Sequence, residues 1–258
     1  KTISSHGDVF VFDAFGVSHR QESSTTGLMN FLDYAPGPLI QSEVNTAKNI
    51  LEDPKKPLCT IISGAKISTK ITLIETFSDK ADHLILGGGL LNTYLQCKGF
   101  EVGVSLVERD LSQEVLSFFE SESAKKIIMP TDLVCSADAS LDYPKIKSIS
   151  MVQSNDKILD IGTKSIERYA EIINKSSTVF WNGPLGYVEK KPYDKGTESI
   201  INVLADSNCF SVIGGGDTVS VIENMGVQDK ISYISTGGGA LLKYIEGKDM
   251  YIIKKLGL

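Results

Sequence analysis

Apolar positions along the chain gather into short runs separated by turn residues. Val9–Phe12, Cys59–Ile62, His83–Leu86, Lys126–Met129, Thr178–Trp181, Phe210–Ile213 and Ile231–Ile234 are such runs. In most of them the apolar residues are continuous rather than alternating, which predicts strands covered on both faces. Between the runs the period lengthens. Pro38–Glu52 sets Leu39, Val44, Ala47 and Leu51 along one helical face, and Lys66–Phe77 does so with Ile67, Ile71 and Ile74. Thr163–Asn174, Asp194–Asp206 and Asp217–Met225 also predict helices. Strand alternating with helix predicts the α/β class, a three-layer, Rossmann-like parallel sheet flanked by helices.

The residues that follow each strand carry the chemistry. Ser63-Gly64-Ala65-Lys66, Gly87-Gly88-Gly89, Pro130-Thr131-Asp132, Asn182-Gly183-Pro184-Leu185-Gly186, Gly214-Gly215-Gly216-Asp217 and Ser235-Thr236-Gly237-Gly238-Gly239 each leave the end of a predicted strand. In an open parallel sheet these loops share the edge where ligands bind. Glycine lets backbone approach a phosphate closely, and the N–H groups of a following helix point at the anion. One such loop turns a chain. A set of them on one edge predicts a site for a polyphosphate.

Composition narrows the class. Across 258 residues, 41% are apolar and 22% charged, which excludes disorder and leaves room for one large domain or two modest ones. A net charge of −6 disfavours nucleic acid as a partner. No apolar run approaches the roughly 18 residues of a membrane span, so no membrane partner is expected. Cys59, Cys97, Cys135 and Cys209 form no C-x-x-C pair and are expected as free thiols in a reducing, cytoplasmic setting. His6 and His83 are placed at a helix end and a strand start, without the spacing of a metal pair, and Trp181 is placed in the core. The chain opens on Lys1, without a Met or a signal pattern, which suggests a processed chain or a piece of one.

No stretch matches the P-loop. Gly87-Gly88-Gly89-Leu90-Leu91-Asn92 lacks the last glycine of a dinucleotide fingerprint, which weakens a hydride-transfer reading. Lys66 and Lys70, four apart at the start of a predicted helix, would share one face and could hold phosphate oxygens and offset charge developing during transfer. Asp217, read as the cap of a helix after Gly214–Gly216, is the natural Mg²⁺ ligand beside a phosphate loop. Glu189 could accept from ribose hydroxyls.

These residues resemble phosphoglycerate kinase. The resemblance runs through Asp13-Ala-Phe-Gly-Val-Ser-His-Arg20, Ser63-Gly-Ala-Lys-Ile-Ser-Thr-Lys70, Leu86-Gly-Gly-Gly89, Trp181-Asn-Gly-Pro-Leu-Gly186, Gly214-Gly-Gly-Asp-Thr218 and Ser235-Thr-Gly-Gly-Gly-Ala240, in that order, over nearly the whole chain. It implies a monomeric, two-domain, hinge-bending kinase. Such an enzyme moves a phosphoryl group between 1,3-bisphosphoglycerate and MgADP, giving 3-phosphoglycerate and MgATP. Carried over by motif, Lys66 and Lys70 contact the nucleotide phosphates and the transferring group, and Asp217 holds magnesium. Gly215, Gly216 and Thr218 line the phosphate loop, and Gly238 and Gly239 offer N–H groups to the transition state. Gly64, Ala65, Gly88, Asn182, Pro184 and Glu189 shape the nucleotide pocket. Arg20 matches an acid-substrate arginine, with His19 beside it.

The resemblance also divides the chain. Residues 1–35 match the end of the family's N-terminal acid-substrate domain, 36–53 the interdomain helix, 54–240 the nucleotide-binding domain and 241–258 a tail. Most of the N-terminal domain would precede Lys1, so Val9–Phe12 is expected without sheet partners. These residues alone are expected to bind MgADP or MgATP with little turnover. Departures from the family pattern are Ser63 for a glycine, Thr69 for an aspartate, Thr163 for a proline and Leu241 for a serine. Two other readings stay open: a nucleotide-binding relative without transferase activity, and an NAD-dependent Rossmann oxidoreductase.

Overall fold

A computed structural model describes residues 1–138 and 140–258. They form two compact units, Lys1–Pro54 together with Ser235–Leu258, and Lys55–Ile234.

The first unit begins with a parallel pair, β1 (Val9–Phe12) and β2 (Asp33–Pro36). The expectation that Val9–Phe12 has no partner is therefore corrected. The partner does not show in the sequence because Asp33-Tyr-Ala-Pro36 opens on a carboxylate and closes on a proline, so it does not read as an apolar run. Helix α1 (Pro38–Glu52) has the bounds its periodicity predicts, with proline in its first turn. Ile40, Val44, Ala47 and Ile50 bury one face. Asp13, just past β1, accepts from the Ile40 N–H at 2.9 Å and so satisfies a free donor of the helix start. Its carboxylate also packs on Gly37, where a Cβ would lie 2.3 Å away from Asp13 Cγ.

The second unit is built on β3 (Leu58–Gly64), whose residues are buried through Ser63. From β3 the chain passes through α2 (Ile71–Lys80) to β4 (His83–Gly87) on one side. Then come α3 (Gly88–Cys97), α4 (Gln113–Glu120), and the strands β5 (Asp132–Ser136), β6 (Lys145–Ser148) and β7 (Lys157–Ile161). Those three form a separate antiparallel sheet in the order β6-β5-β7, which the pattern of apolar runs did not predict. Helix α5 (Thr163–Asn174) follows, its first turn received by Asp132, which accepts from the N–H of Ser165 at 2.8 Å. Strand β8 (Thr178–Asn182) then returns to the other side of β3, and α6 (Lys195–Asp206), β9 (Phe210–Gly214), α7 (Gly216–Met225) and β10 (Tyr233–Ile234) extend the sheet outward. The result is a five-stranded parallel sheet, β10-β9-β8-β3-β4, flanked by helices as expected. Phe77 from α2 stacks on Phe180 of β8 at 4.6 Å, and Trp181 is fully buried beside it in sequence.

Three further sequence readings are corrected. Lys126–Met129 is not a strand: Ser123–Lys126 is a 3₁₀ turn, Pro130 follows closely, and a single bridge of Ile127 to Leu84 is all that remains. Ile231–Ile234 pairs only at Tyr233 and Ile234, because the hydroxyls of Ser211 and Ser232 take up each other's N–H groups at 3.0 and 3.1 Å and replace the ladder there. Lys66–Phe77 is not one helix. Lys66 is extended, Ile67–Thr69 is a 3₁₀ turn, and α2 begins at Ile71. Side chains explain the break: Thr69 Oγ1 donates to the Lys66 carbonyl at 2.8 Å, and Glu108 accepts from the Ser68 N–H at 2.9 Å.

Residues 235–258 return to the first unit through α8 (Gly239–Ile245) and α9 (Tyr251–Lys255). Glu43 of α1 is fully buried and receives them, accepting from Ser235 Oγ at 2.7 Å, the Thr236 N–H at 2.7 Å and Thr236 Oγ1 at 2.9 Å.

Candidate functional site

The strand order places a reversal between β3 and β8. From β3 the chain builds toward β4, and from β8 it builds the opposite way, so their carboxyl ends part and leave a crevice. Ser63 and Gly64 end one strand, and Asn182 ends the other with Gly183 just after it. The crossing is close: Gly183 has φ +90, and a Cβ there would lie 2.4 Å from the Ser63 carbonyl oxygen. Ser63 Oγ donates to the Pro184 carbonyl. This serine thus ties the β3 end to the loop after β8.

Lys70 reaches back into this crevice. Its Nζ donates to Asn182 Oδ1 at 2.5 Å and also to the Ser63 carbonyl. Asn182, 3% exposed, donates from Nδ2 to the Gly214 carbonyl at 2.9 Å, the last residue of β9. One lysine and one amide thereby join the ends of β3, β8 and β9. The lysine lies over Gly64, whose built Cβ would be 3.4 Å from Nζ. Lys66 is exposed and extended, so the two lysines do not share a helical face.

Past β9, Gly215 takes φ +107 and serves as the cap of α7. Gly216 opens the helix, and Asp217 lies in its first turn rather than at the cap, a correction that follows from Gly215 being the non-helical residue just before the helix. Gly216 and Asp217 are exposed. Thr218 is fully buried, and its Oγ1 has no hydrogen-bond partner among the described residues.

A cleft of about 450 Å³ opens along this edge, within the usual range for a small-molecule site. Of the residues singled out in the sequence, Gly64, Ala65, Gly88, Pro184, Glu189 and Asp217 line it. Asn182 and Lys70 stand behind it in the network just described. The remaining wall was missed: Leu91, Asn92, Leu106, Lys157, Ile158, Leu159, Asp160 and Tyr187. Much of that wall comes from β7, which belongs to the unpredicted antiparallel sheet. The Leu159-Asp160-Ile161-Gly162 run before a helix was the available signal. Burial, with a smaller push from the Asp194 charge, moves the Asp160 acid up to about 7, although N–H groups of Gly196 and Ile161 pull the other way.

Arg20, His19, Gly238 and Gly239 belong to the first unit. Arg20 is exposed and lies 3.8 Å from Glu22. Burial, then the charges of Lys243 and Arg20, holds the His19 imidazole below its ordinary range, and its buried Nδ1 has no hydrogen-bond partner among the described residues. Gly238 has φ +49 and opens onto α8, and Gly239 is its first residue. All four cysteines are free, with Cys97 exposed. Among the described residues no helix is long and apolar enough to cross a membrane, and no three His, Cys, Asp or Glu side chains group to hold a metal by themselves.

The phosphoglycerate kinase family profile matches residues 1–248. The structure of phosphoglycerate kinase from Coxiella burnetii superposes with a TM-score of 0.91 at 37% identity, covering 99% of this chain and 67% of that one. Phosphoglycerate kinase from Pyrococcus horikoshii OT3 superposes with a TM-score of 0.83 at 26% identity, covering 99% of this chain and 65% of that one. The chain thus spans about two thirds of the length of these structures.

Proposed function

Because the chain belongs to the phosphoglycerate kinase family, we propose that its second unit binds MgADP or MgATP for phosphoryl transfer with 1,3-bisphosphoglycerate or 3-phosphoglycerate. Family membership sets aside the NAD-dependent oxidoreductase reading. The observation that carries the proposal is the Lys70–Asn182–Gly214 network beside the cleft, with Asp217 on its rim.

In this reading the base and ribose occupy the cleft between Gly64, Ala65 and Gly88 on one side and Pro184 and Glu189 on the other. Glu189 is exposed at the cleft and accepts from the ribose hydroxyls. The phosphates lie toward Lys66, Lys70 and the Gly215-Gly216 turn, where N–H groups at the start of α7 face an anion. Asn182 holds the Lys70 ammonium at the strand ends, so its charge is in place before any phosphate arrives. Thr218 offers a hydroxyl whose bonding capacity is unused. Asp217 is a single exposed carboxylate, which fits an Mg²⁺ held chiefly by phosphate oxygens and water. That ion would neutralise phosphate charge. Transfer then needs in-line placement and positive charge more than covalent chemistry, and the two lysines supply the charge. Gly238 and Gly239 are assigned N–H contacts to the transferring group, and Arg20 and His19 contacts to the acid substrate.

Arg20 alone, with Glu22 competing for its charge, is a weak anchor for a multiply charged acid. The chain by itself is therefore expected to bind nucleotide with little turnover. Calorimetry with MgADP tests the first part: binding that Lys70→Ala weakens is expected, and no heat at millimolar nucleotide refutes it. Normal turnover in a coupled assay would refute the second.

A further inference from the structure

The chain between α3 and α4 runs from the apolar wall of the cleft to the turn that carries Lys66. Its first part is fastened at β7: the Val104 N–H donates to the Asp156 carbonyl at 2.8 Å, and Ser105 Oγ accepts from the Ile158 N–H at 2.8 Å. Its middle is fastened to α3. Asn92 Nδ2 donates to the Leu106 carbonyl at 3.2 Å, and the Glu108 N–H donates to Thr93 Oγ1 at 3.0 Å. The Thr93 hydroxyl donates in turn to the Gly89 carbonyl at 2.7 Å. Leu106 is 55% exposed, and it lines the cleft.

The segment ends on a carboxylate that grips the lysine's turn. Glu108 Oε2 accepts from the Ser68 N–H at 2.9 Å, and Oε1 accepts from Ser68 Oγ at 2.5 Å. Partial burial pushes the Glu108 acid up, but the Ser68 hydroxyl and the N–H groups of Ser68 and Ile67, with the Lys66 charge, hold it below the ordinary carboxylate range. It is therefore ionised near neutral pH, and its charge strengthens both contacts. The turn needs such a hold. Ile67–Thr69 is a single 3₁₀ turn, and so short a piece has little stability of its own. Its other supports are the buried Ile67 side chain and the Thr69 hydroxyl on the Lys66 carbonyl. Ser68 is two residues from Lys66, so what fixes its backbone also fixes the point from which the lysine reaches out.

We infer that Glu108 is a positioning residue for Lys66: it ties the lysine's turn to the segment that forms the apolar wall of the cleft, and the lysine's hold on phosphate depends on that tie. The Lys66 side chain is exposed and settles on its ligand, whereas the backbone that launches it is already set. Charge alone would act the other way. A carboxylate that merely competed for the Lys66 ammonium would draw it away from phosphate, so holding the turn and competing for the charge differ in sign. This assignment rests on the nucleotide reading above, which takes Lys66 to face phosphate.

The test is a double-mutant cycle read by MgATP calorimetry. Lys66→Ala is expected to lower affinity about tenfold in the wild type and only about threefold in the Glu108→Ala background. Glu108→Gln can keep both contacts with Ser68 without the charge, so in that background the full loss of about tenfold is expected. A cost of Lys66→Ala in the Glu108→Ala background that is within about twofold of the wild-type cost, or larger than it, overturns the positioning role. So does a Glu108→Gln background that behaves like Glu108→Ala, because charge and not the hold on the turn would then be at work. Should Glu108→Ala fail to fold, Ser68→Ala, which removes the hydroxyl contact from an exposed residue, takes its place under the same criteria. A wild type that binds MgATP but loses nothing on Lys66→Ala overturns the assignment of Lys66 to phosphate, and the role of Glu108 with it. A wild type that binds no MgATP overturns the nucleotide reading itself.

Discussion

Asn182→Asp changes one heavy atom at the centre of the site and separates two roles of the residue. In the wild type Nδ2 donates to the Gly214 carbonyl at 2.9 Å while Oδ1 accepts from Lys70 Nζ at 2.5 Å. In the variant the first contact sets oxygen against oxygen in a site only 3% exposed. Leaving that carbonyl without its donor costs about 1–3 kcal/mol. The second contact becomes an ion pair, and its gain is reduced by the cost of holding a new charge away from water. The two effects oppose each other, so the net loss of stability is expected to be about 1 kcal/mol.

Binding responds differently, because nothing offsets the loss there. A unit charge about 4 Å from another is worth about 4 kcal/mol at an effective dielectric near 20. In the variant the lysine charge is already neutralised, and the new carboxylate repels the phosphates as well. MgADP affinity is expected to fall on the order of a hundredfold, about 3 kcal/mol, with a smaller salt dependence than the wild type. Urea unfolding followed by the fluorescence of Trp181, the only tryptophan, reads the stability of this unit. Calorimetry at low and high salt reads the affinity. An affinity within about threefold of wild type would show that the Lys70 charge does not face phosphate.

Two further substitutions test the frame around it. Gly183→Ala combines a φ of +90 with a Cβ 2.4 Å from the Ser63 carbonyl, and the Trp181 urea midpoint should report a loss of about 3 kcal/mol, whereas a change under about 1 kcal/mol would mean the β3–β8 crossing yields easily. Thr218→Val removes a buried hydroxyl that bonds to nothing in the protein, so stability should hold or rise by about 1 kcal/mol while MgADP affinity falls, and unchanged affinity would remove Thr218 from the phosphate site.

What was legible in the sequence follows from which interactions are local. The core strands of the parallel sheet announce themselves because both faces are covered, so their apolar residues run together, as in Val179-Phe180-Trp181. The helices α1 and α5 have the predicted bounds because proline and glycine mark their starts and one face alone is buried. The antiparallel strands were not legible. Lys145–Ser148 is exposed along most of its length and carries no apolar signature, and in Lys157–Ile161 the apolar run Ile158-Leu159 is only two residues long before Asp160 interrupts it. That omission removed the part of the cleft wall that runs from Lys157 to Asp160.

The error at Lys66 and Lys70 teaches more than the omission. A spacing of four places two side chains together only if the backbone between them is helical. Here Thr69 and Glu108 take the backbone groups that a helix would use. The consequence is a division of labour that the periodicity concealed. Lys70, turned inward, is held at the ends of β3 and β8 and can meet a phosphate with little reorganisation. Lys66, outside that network and exposed, must pay entropy to settle on the same ligand. Equal spacing from a glycine loop therefore does not mean equal roles. Of the two, Lys70 is the one whose charge the fold has placed, and the difference arises from hydrogen bonds made by residues 63, 69, 108 and 182 rather than from the lysines themselves.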